Sequence, residues 1–136
     1  MISIIIPFYN EKESLPALIG GLVTQLEKIK EKYEIILVDD GSTDAMRQNF
    51  QFPIPDNFQL THHRKRMGKG QALKTGIESS SGEIIVFMDA DLQDDPKDIG
   101  KFLEKINEGY DFVNGIRVNR QENYLVKIYS KIASWF

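Results

Sequence analysis

Residues 86–95, VFMDADLQDD, set four carboxylates, Asp89, Asp91, Asp94 and Asp95, directly behind a run of apolar side chains. Acids crowded this way repel one another, and each loses hydration if it lies in a cleft. The Asp89–Asp91 pair, at the end of a buried strand, supplies two hard oxygen ligands. That suits a divalent cation whose other positions go to water and a phosphorylated ligand. An acidic turn capping a helix that starts near Pro96 explains the same residues, and it is the reading kept for Asp94 and Asp95. A second acidic site opens DDGSTD, where Asp39 and Asp40 precede Gly41. A plain turn fits, with Ser42 or Thr43 capping a short helix. So does a carboxylate that accepts a hydrogen bond from a nucleobase N–H or a ribose hydroxyl.

Other chemistries lack their residues. In RKRMGKGQAL (64–73) the Gly-Lys pair is followed by glycine, and His63 stands where a Walker loop needs its first glycine. A glycine-rich helix entry can still offer backbone N–H groups to an anion; for Lys65 and Arg66 a solvated basic loop serves as well. His62 and His63 are adjacent, so on a strand they face opposite ways and cannot chelate together; they receive no role. No G-x-S-x-G elbow and no G-x-G-x-x-G after the first strand are found, which disfavours a serine nucleophile and a nicotinamide cofactor. The chain has no cysteine, so disulfides and thiolate chemistry are excluded.

The elements that must position these residues alternate. ISIIIP (2–7), YEIILVDD (33–40) and EIIVFMD (83–89) are β-branched runs of the kind that form strands buried on both faces. FQLTHH (58–63) and DFVNGI (111–116) are further strand candidates. Leu15, Leu18, Ile19, Leu22, Val23, Leu26 and Ile29 recur at helical spacing, with Ser14 as cap and Pro16 in the first turn. Ala72, Leu73, Gly76 and Ile77 predict a second helix. Pro96 with Ile99, Phe102, Leu103 and Ile106 predicts a third, ending near Gly109. The expected fold is α/β, a doubly wound and mostly parallel sheet. Ligands of such sheets bind beyond the carboxyl ends of the strands, and there the polar groups gather: PFYNE, DDGSTD and DADLQDD.

With 136 residues the chain can bury a full core, and a net charge of −3 with pI near 5.4 argues against a broad nucleic-acid surface. No apolar run reaches the ~20 residues that cross a bilayer, and MISIIIPFYN lacks the basic start of a signal peptide, so a cytoplasmic location is expected. The tail NYLVKIYSKIASWF (123–136) carries Leu125, Ile128, Ile132 and Trp135 at helical spacing beside Lys127 and Lys131. It reads as an amphipathic helix suited to a membrane interface, the start of a longer protein's next segment.

Taken in order, SIIIPFYNEKESL, YEIILVDDGSTD, GKGQALKTGI, GEIIVFMDADLQDDP and GIR resemble the nucleotide-sugar-binding half of family 2 glycosyltransferases, over residues 2–117. The DADLQDDP block is most similar to the polyprenyl-phosphate branch, which includes dolichol-phosphate mannosyltransferases and undecaprenyl-phosphate glucosyltransferases. The resemblance implies the nucleotide-diphospho-sugar transferase (A-type glycosyltransferase) fold. It implies a donor domain over 1–117 and an interfacial helix over 118–136. It matches Pro7, Tyr9 and Glu11 to positions lining the nucleoside, and Val38 and Asp40 to positions beside the base, with Asp39 second to Asp40. Asp89 and Asp91 match the metal and diphosphate pair, Ala90 lies at the ribose, and Gln93 matches a further metal ligand. Arg117 and Lys131 match basic residues that reach the phosphates. The implied reaction is metal-dependent, inverting transfer of a sugar from a UDP- or GDP-sugar to a lipid phosphate, with Mg²⁺ or Mn²⁺ as cofactor and the membrane face as location. The alternatives are a family 2 enzyme with a polysaccharide or glycan acceptor, and a non-enzymatic nucleotide-binding or receiver-like domain.

Overall fold

The computed structural model describes residues 1–44 and 56–116. Arg117, Lys131 and the amphipathic tail lie outside the described residues. The element order is β1 (Ile2–Phe8), α1 (Ser14–Ile29), β2 (Tyr33–Asp39), β3 (Phe58–His62), α2 (Lys69–Ser79), β4 (Ile84–Phe87) and α3 (Asp98–Asn107). The four strands form one parallel sheet in the order β3-β2-β1-β4. All seven residues of β1 and six of the seven in β2 are buried, which is why these segments read as mostly apolar runs without alternation. From β1 the chain winds toward β2 and β3, then returns to place β4 on the other side of β1. Right-handed crossovers in opposite directions put α1 and α2 on opposite faces. The strand order reverses between β1 and β4, and a crevice is expected at their carboxyl ends. A receiver-like sheet has the order 2-1-3-4-5, so that alternative is set aside.

The β1–β4 ladder runs from Ile2↔Ile84 to Ile5↔Phe87, and the Met88 N–H donates to the Ile5 carbonyl at 3.1 Å. The next rung would need the amide of residue 7, and proline has none. The two strands therefore stop bonding one step before the polar residues begin.

α2 lies against β1 and β2, with Ile5, Ile36, Val38 and Ala72 fully buried together. Gly76 permits this approach, since a Cβ there would sit 2.3 Å from Ile5 Cγ2. The stretch 83–89 departs from its expectation. Along β4 the side chains alternate, and Ile85 and Phe87 are exposed, because α2 covers β1 and β2 but not this edge of the described sheet.

At the amino-terminal edge of the sheet, buried Glu34 accepts hydrogen bonds from the Ser3 hydroxyl, the Ser81 N–H and hydroxyl, and Gln59 Nε2. The Ser3 hydroxyl oxygen accepts the Gly82 N–H in turn. Burial pushes the Glu34 carboxyl up, but the Ser3 hydroxyl, the Ser81 donors and the Gly82 N–H outweigh it and hold its pKa below the ordinary 4.5. A depressed carboxylate stabilises the fold above its unfolded pKa and loses that contribution as pH falls through the lower folded value. Urea melts should therefore weaken below about pH 4.5. Glu34→Gln should cost about 1–3 kcal/mol at pH 7 and reduce the acid slope; an unchanged slope would show that other carboxylates dominate.

Two helix starts differ from expectation. The Ser14 hydroxyl donates to the Glu11 carboxylate and does not cap α1, whose N-cap residue is Glu13. Only part of the acidic pair before α3 caps: Asp95 Oδ1 accepts the Lys97 N–H and its carbonyl the Asp98 N–H, whereas Asp94 Oδ2 turns back to the Asp89 N–H at 3.0 Å.

The chain divides into two compact units, Met1–Lys101 and Phe102–Phe136. In the described part of the second, α3 ends at a turn with Gly109 at φ 100°. Residues 111–116 form no strand; Phe112 and Ile116 are exposed and find no ladder partner among the described residues.

Candidate functional site

Four loops converge on the carboxyl edge of the sheet. The loop after β1 carries Tyr9 and Asn10, and that after β2 carries Asp40–Asp44. The segment from β3 to α2 carries His63–Lys69, and the loop after β4 carries Asp89–Asp95. Asn10 ties the first two together. It sits at φ 56°, its Oδ1 accepts the Thr43 and Asp44 N–H groups, and its own N–H donates to the Ser42 hydroxyl.

Asp39 and Asp40 are both buried, and both carboxylates are used within the protein. Asp39 Oδ1 accepts the Ser42 N–H and Oδ2 lies 2.8 Å from His62 Nδ1. Asp40 Oδ1 accepts the Met67 N–H and lies 2.9 Å from His63 Nδ1, while Oδ2 accepts the Gly68 N–H. With its proton on Nδ1, His63 donates to Asp40 and accepts from the Thr75 hydroxyl through Nε2. Burial raises the Asp40 pKa, but His63 and the two amides outweigh it and hold the carboxyl below its ordinary 3.8. Asp40 thus keeps its charge, and about one of its roughly four acceptor positions remains for a ligand. The two histidines, given no role from sequence, each take the aspartate on their own side of the ladder that pairs Asp39 with His62.

Gly41 lets the basic loop cross. It has φ 76°, and a Cβ there would lie 2.6 Å from Arg66 N and from Lys65 C. The loop then places the Arg66 guanidinium 4.2 Å from the centre of the Tyr9 ring, a cation–π stack. Arg66, expected in a solvated loop, therefore belongs beside a predicted nucleoside position. The loop ends at Lys69, whose ammonium pairs with Asp89 Oδ1.

The expected site residues are placed as follows. Tyr9 is half-buried at the mouth, and Pro7 is buried where the β1–β4 ladder stops. Glu11 is half-buried and engaged with Ser14. Val38 is fully buried, its side chain part of the core beneath α2. Ala90 is buried between Asp89, half-buried, and Asp91, exposed. Asp91 Oδ1 accepts the Gln93 N–H across Leu92, which adopts φ 62°. A leucine in this region costs about 1–2 kcal/mol, and such strain collects at functional loops. Among the described residues no group of three or more His, Cys, Asp or Glu surrounds one point. The hard oxygens of Asp89 and Asp91 nevertheless fit a divalent cation that completes its shell from ligand and water. The Lys69 ammonium on Asp89 shows that a positive charge is already favoured there.

A parallel sheet with reversed strand order, an aromatic–arginine stack at the end of one strand and an Asp-X-Asp pair at the end of its neighbour place the chain among α/β proteins whose polar residues gather at a topological switch point. The sequence profile of glycosyl transferase family 2 matches residues 3–134, and the chain belongs to that family. Its fold is the A-type glycosyltransferase fold. Among solved structures, a mannosyltransferase from Pyrobaculum calidifontis in complex with GDP-Man and Mn²⁺ is similar at 31% identity (TM-score 0.58, 66% of this chain, 27% of that one). TarS 1–349 of S. aureus in complex with UDP-GlcNAc is 22% identical, with TM-score 0.65 over 88% of this chain and 37% of that one. Glucosyl-3-phosphoglycerate synthase of Mycobacterium tuberculosis, with Mn²⁺, UDP-glucose and phosphoglyceric acid, is 24% identical (TM-score 0.63, 80% and 40%). This chain spans 27–40% of the length of these three proteins.

Proposed function

We propose that the chain is the donor-binding part of a metal-dependent, inverting glycosyltransferase that moves a sugar from a UDP- or GDP-sugar to a polyprenyl phosphate. The observation that carries this reading is the Asp89–Asp91 pair at the switch point between β1 and β4, facing the loop that brings Lys69 and Arg66. Asp89 and Asp91 would hold Mg²⁺ or Mn²⁺, with Gln93 as an additional ligand. When bound, that cation supplies stabilisation for the charge that grows on the departing diphosphate. Tyr9 and Arg66 provide an apolar and cationic wall for the base, and Asp40 offers its remaining acceptor position. Pro7 and Glu11 stand at the same strand end, and Ala90 is small enough for the ribose to approach. Arg117 and Lys131 are assigned to the phosphates. A lipid monophosphate has a second pKa of about 6 and is already nucleophilic at neutral pH, so no strong base is required of this chain. The stripe at residues 123–136 supports a place at the cytoplasmic face of a membrane.

Titration calorimetry with UDP and GDP, with and without Mn²⁺, tests the reading. One nucleotide should bind with Mn²⁺ present and bind at least about tenfold more weakly after chelation, a loss of ~1.4 kcal/mol. Equal binding in both conditions would remove the metal from the proposal. Transfer to a prenyl phosphate by the 136-residue chain should be poor, since it spans less than half of its solved relatives. A second acceptor class, a phosphorylated small acid, is favoured by the phosphoglyceric acid in the mycobacterial synthase. Glycosylation of that acid in place of the prenyl phosphate would decide for it.

A further inference from the structure

We infer that Lys69 is an exchangeable counter-ion: it holds the Asp89 carboxylate while no divalent cation is bound, yields it when one arrives, and then contacts the donor's diphosphate. This rests on the cation-binding reading of Asp89 and Asp91. The ammonium pairs with Asp89 Oδ1 between loops twenty residues apart in the chain, and its side chain is 60% exposed. Water and ions reach such a pair, and its partners can separate at little cost.

The base of the side chain, by contrast, is fixed. Lys69 is the first residue of α2, and the two amides before it, those of Met67 and Gly68, donate to the buried Asp40 carboxylate. Asp40 is braced by His63, which is held to α2 through Thr75. The backbone at Lys69 thus stays in place while four methylenes let the charge swing. Two cations cannot share one carboxylate oxygen at contact distance without strong repulsion, so cation entry displaces the ammonium. It is then left beside the place where two phosphates arrive, and an ammonium there forms charge-assisted hydrogen bonds to their oxygens.

The two roles predict opposite signs for one substitution. Lys69→Met should bind Mn²⁺ alone about threefold more tightly, because its competitor is gone. It should bind the nucleotide that the parent binds, UDP or GDP, about tenfold more weakly at saturating Mn²⁺. Lys69→Arg should restore most of the nucleotide affinity. Calorimetry with Mn²⁺ alone, then with nucleotide, reads both effects on the 136-residue chain. If the parent binds Mn²⁺ and Lys69→Met changes both affinities in the same direction or neither, the counter-ion role is overturned and the Asp89–Asp91 reading stands. If the parent binds no Mn²⁺, both fall together.

Discussion

Asp91→Ala should bind UDP or GDP about thirtyfold more weakly than the parent in the presence of Mn²⁺, and should unfold at nearly the same temperature. Truncating one partner of a desolvated charge pair costs about 2–5 kcal/mol. Asp91 is exposed, so screening places its loss at the lower end, about 2 kcal/mol, or a factor near thirty. The fold gives up little, because the side chain supports only the local turn through the Gln93 N–H. Asp89→Ala is the less clean variant, since it also releases Lys69. Calorimetry beside thermal denaturation separates the two outcomes. Unchanged nucleotide affinity in Asp91→Ala would remove this residue from the metal site.

Gly41→Ala should damage both the fold and the site, although the residue has no reactive group. A left-handed conformation costs an alanine about 1–2 kcal/mol. Its Cβ would also meet backbone atoms of Lys65 and Arg66 at 2.6 Å, which cannot rotate aside as a side-chain tip would. Overpacking of this kind adds about 1–3 kcal/mol, for a combined loss of roughly 2–5 kcal/mol. Relief requires the loop to lift, and the loop carries both the Arg66 stack on Tyr9 and the approach to Lys69. Nucleotide affinity should fall with stability. Gly20→Ala is the control: it lies in α1 with nothing within 4 Å of its Cβ, and it should stabilise by up to about 1 kcal/mol. Equal melting temperatures for Gly41→Ala and the parent would overturn the packing argument.

Much of the scaffold was legible from residue pattern. The apolar runs read at 2–7 and 33–40 are the buried strands β1 and β2, and the three helical spacings are the helices α1, α2 and α3. The Asp-X-Asp pair stood out because carboxylates rarely crowd behind a buried strand. Contacts between segments distant in the chain were not legible. His62 and His63 reveal their aspartates only once β2 and β3 are aligned. Arg66 looked like solvated charge and Lys69 received no partner because Tyr9 and Asp89 belong to other loops. Local reasoning also reached only part of Asp94, which has the composition of a helix cap and bonds backward to the Asp89 N–H. The short apolar content of DFVNGI was not enough for a strand, and it finds no ladder partner among the described residues.

Pro7 gives the end of the β1–β4 ladder a covalent origin. A gap held open by a mobile hinge would have to be sorted from closed forms each time a ligand arrived, and that sorting would weaken binding. Here a pyrrolidine ring replaces the amide that would zip β1 to the end of β4, so the ladder cannot anneal across the opening. The two strand ends are therefore already apart before any ligand arrives, and a ligand bound at this switch point would not need to part them.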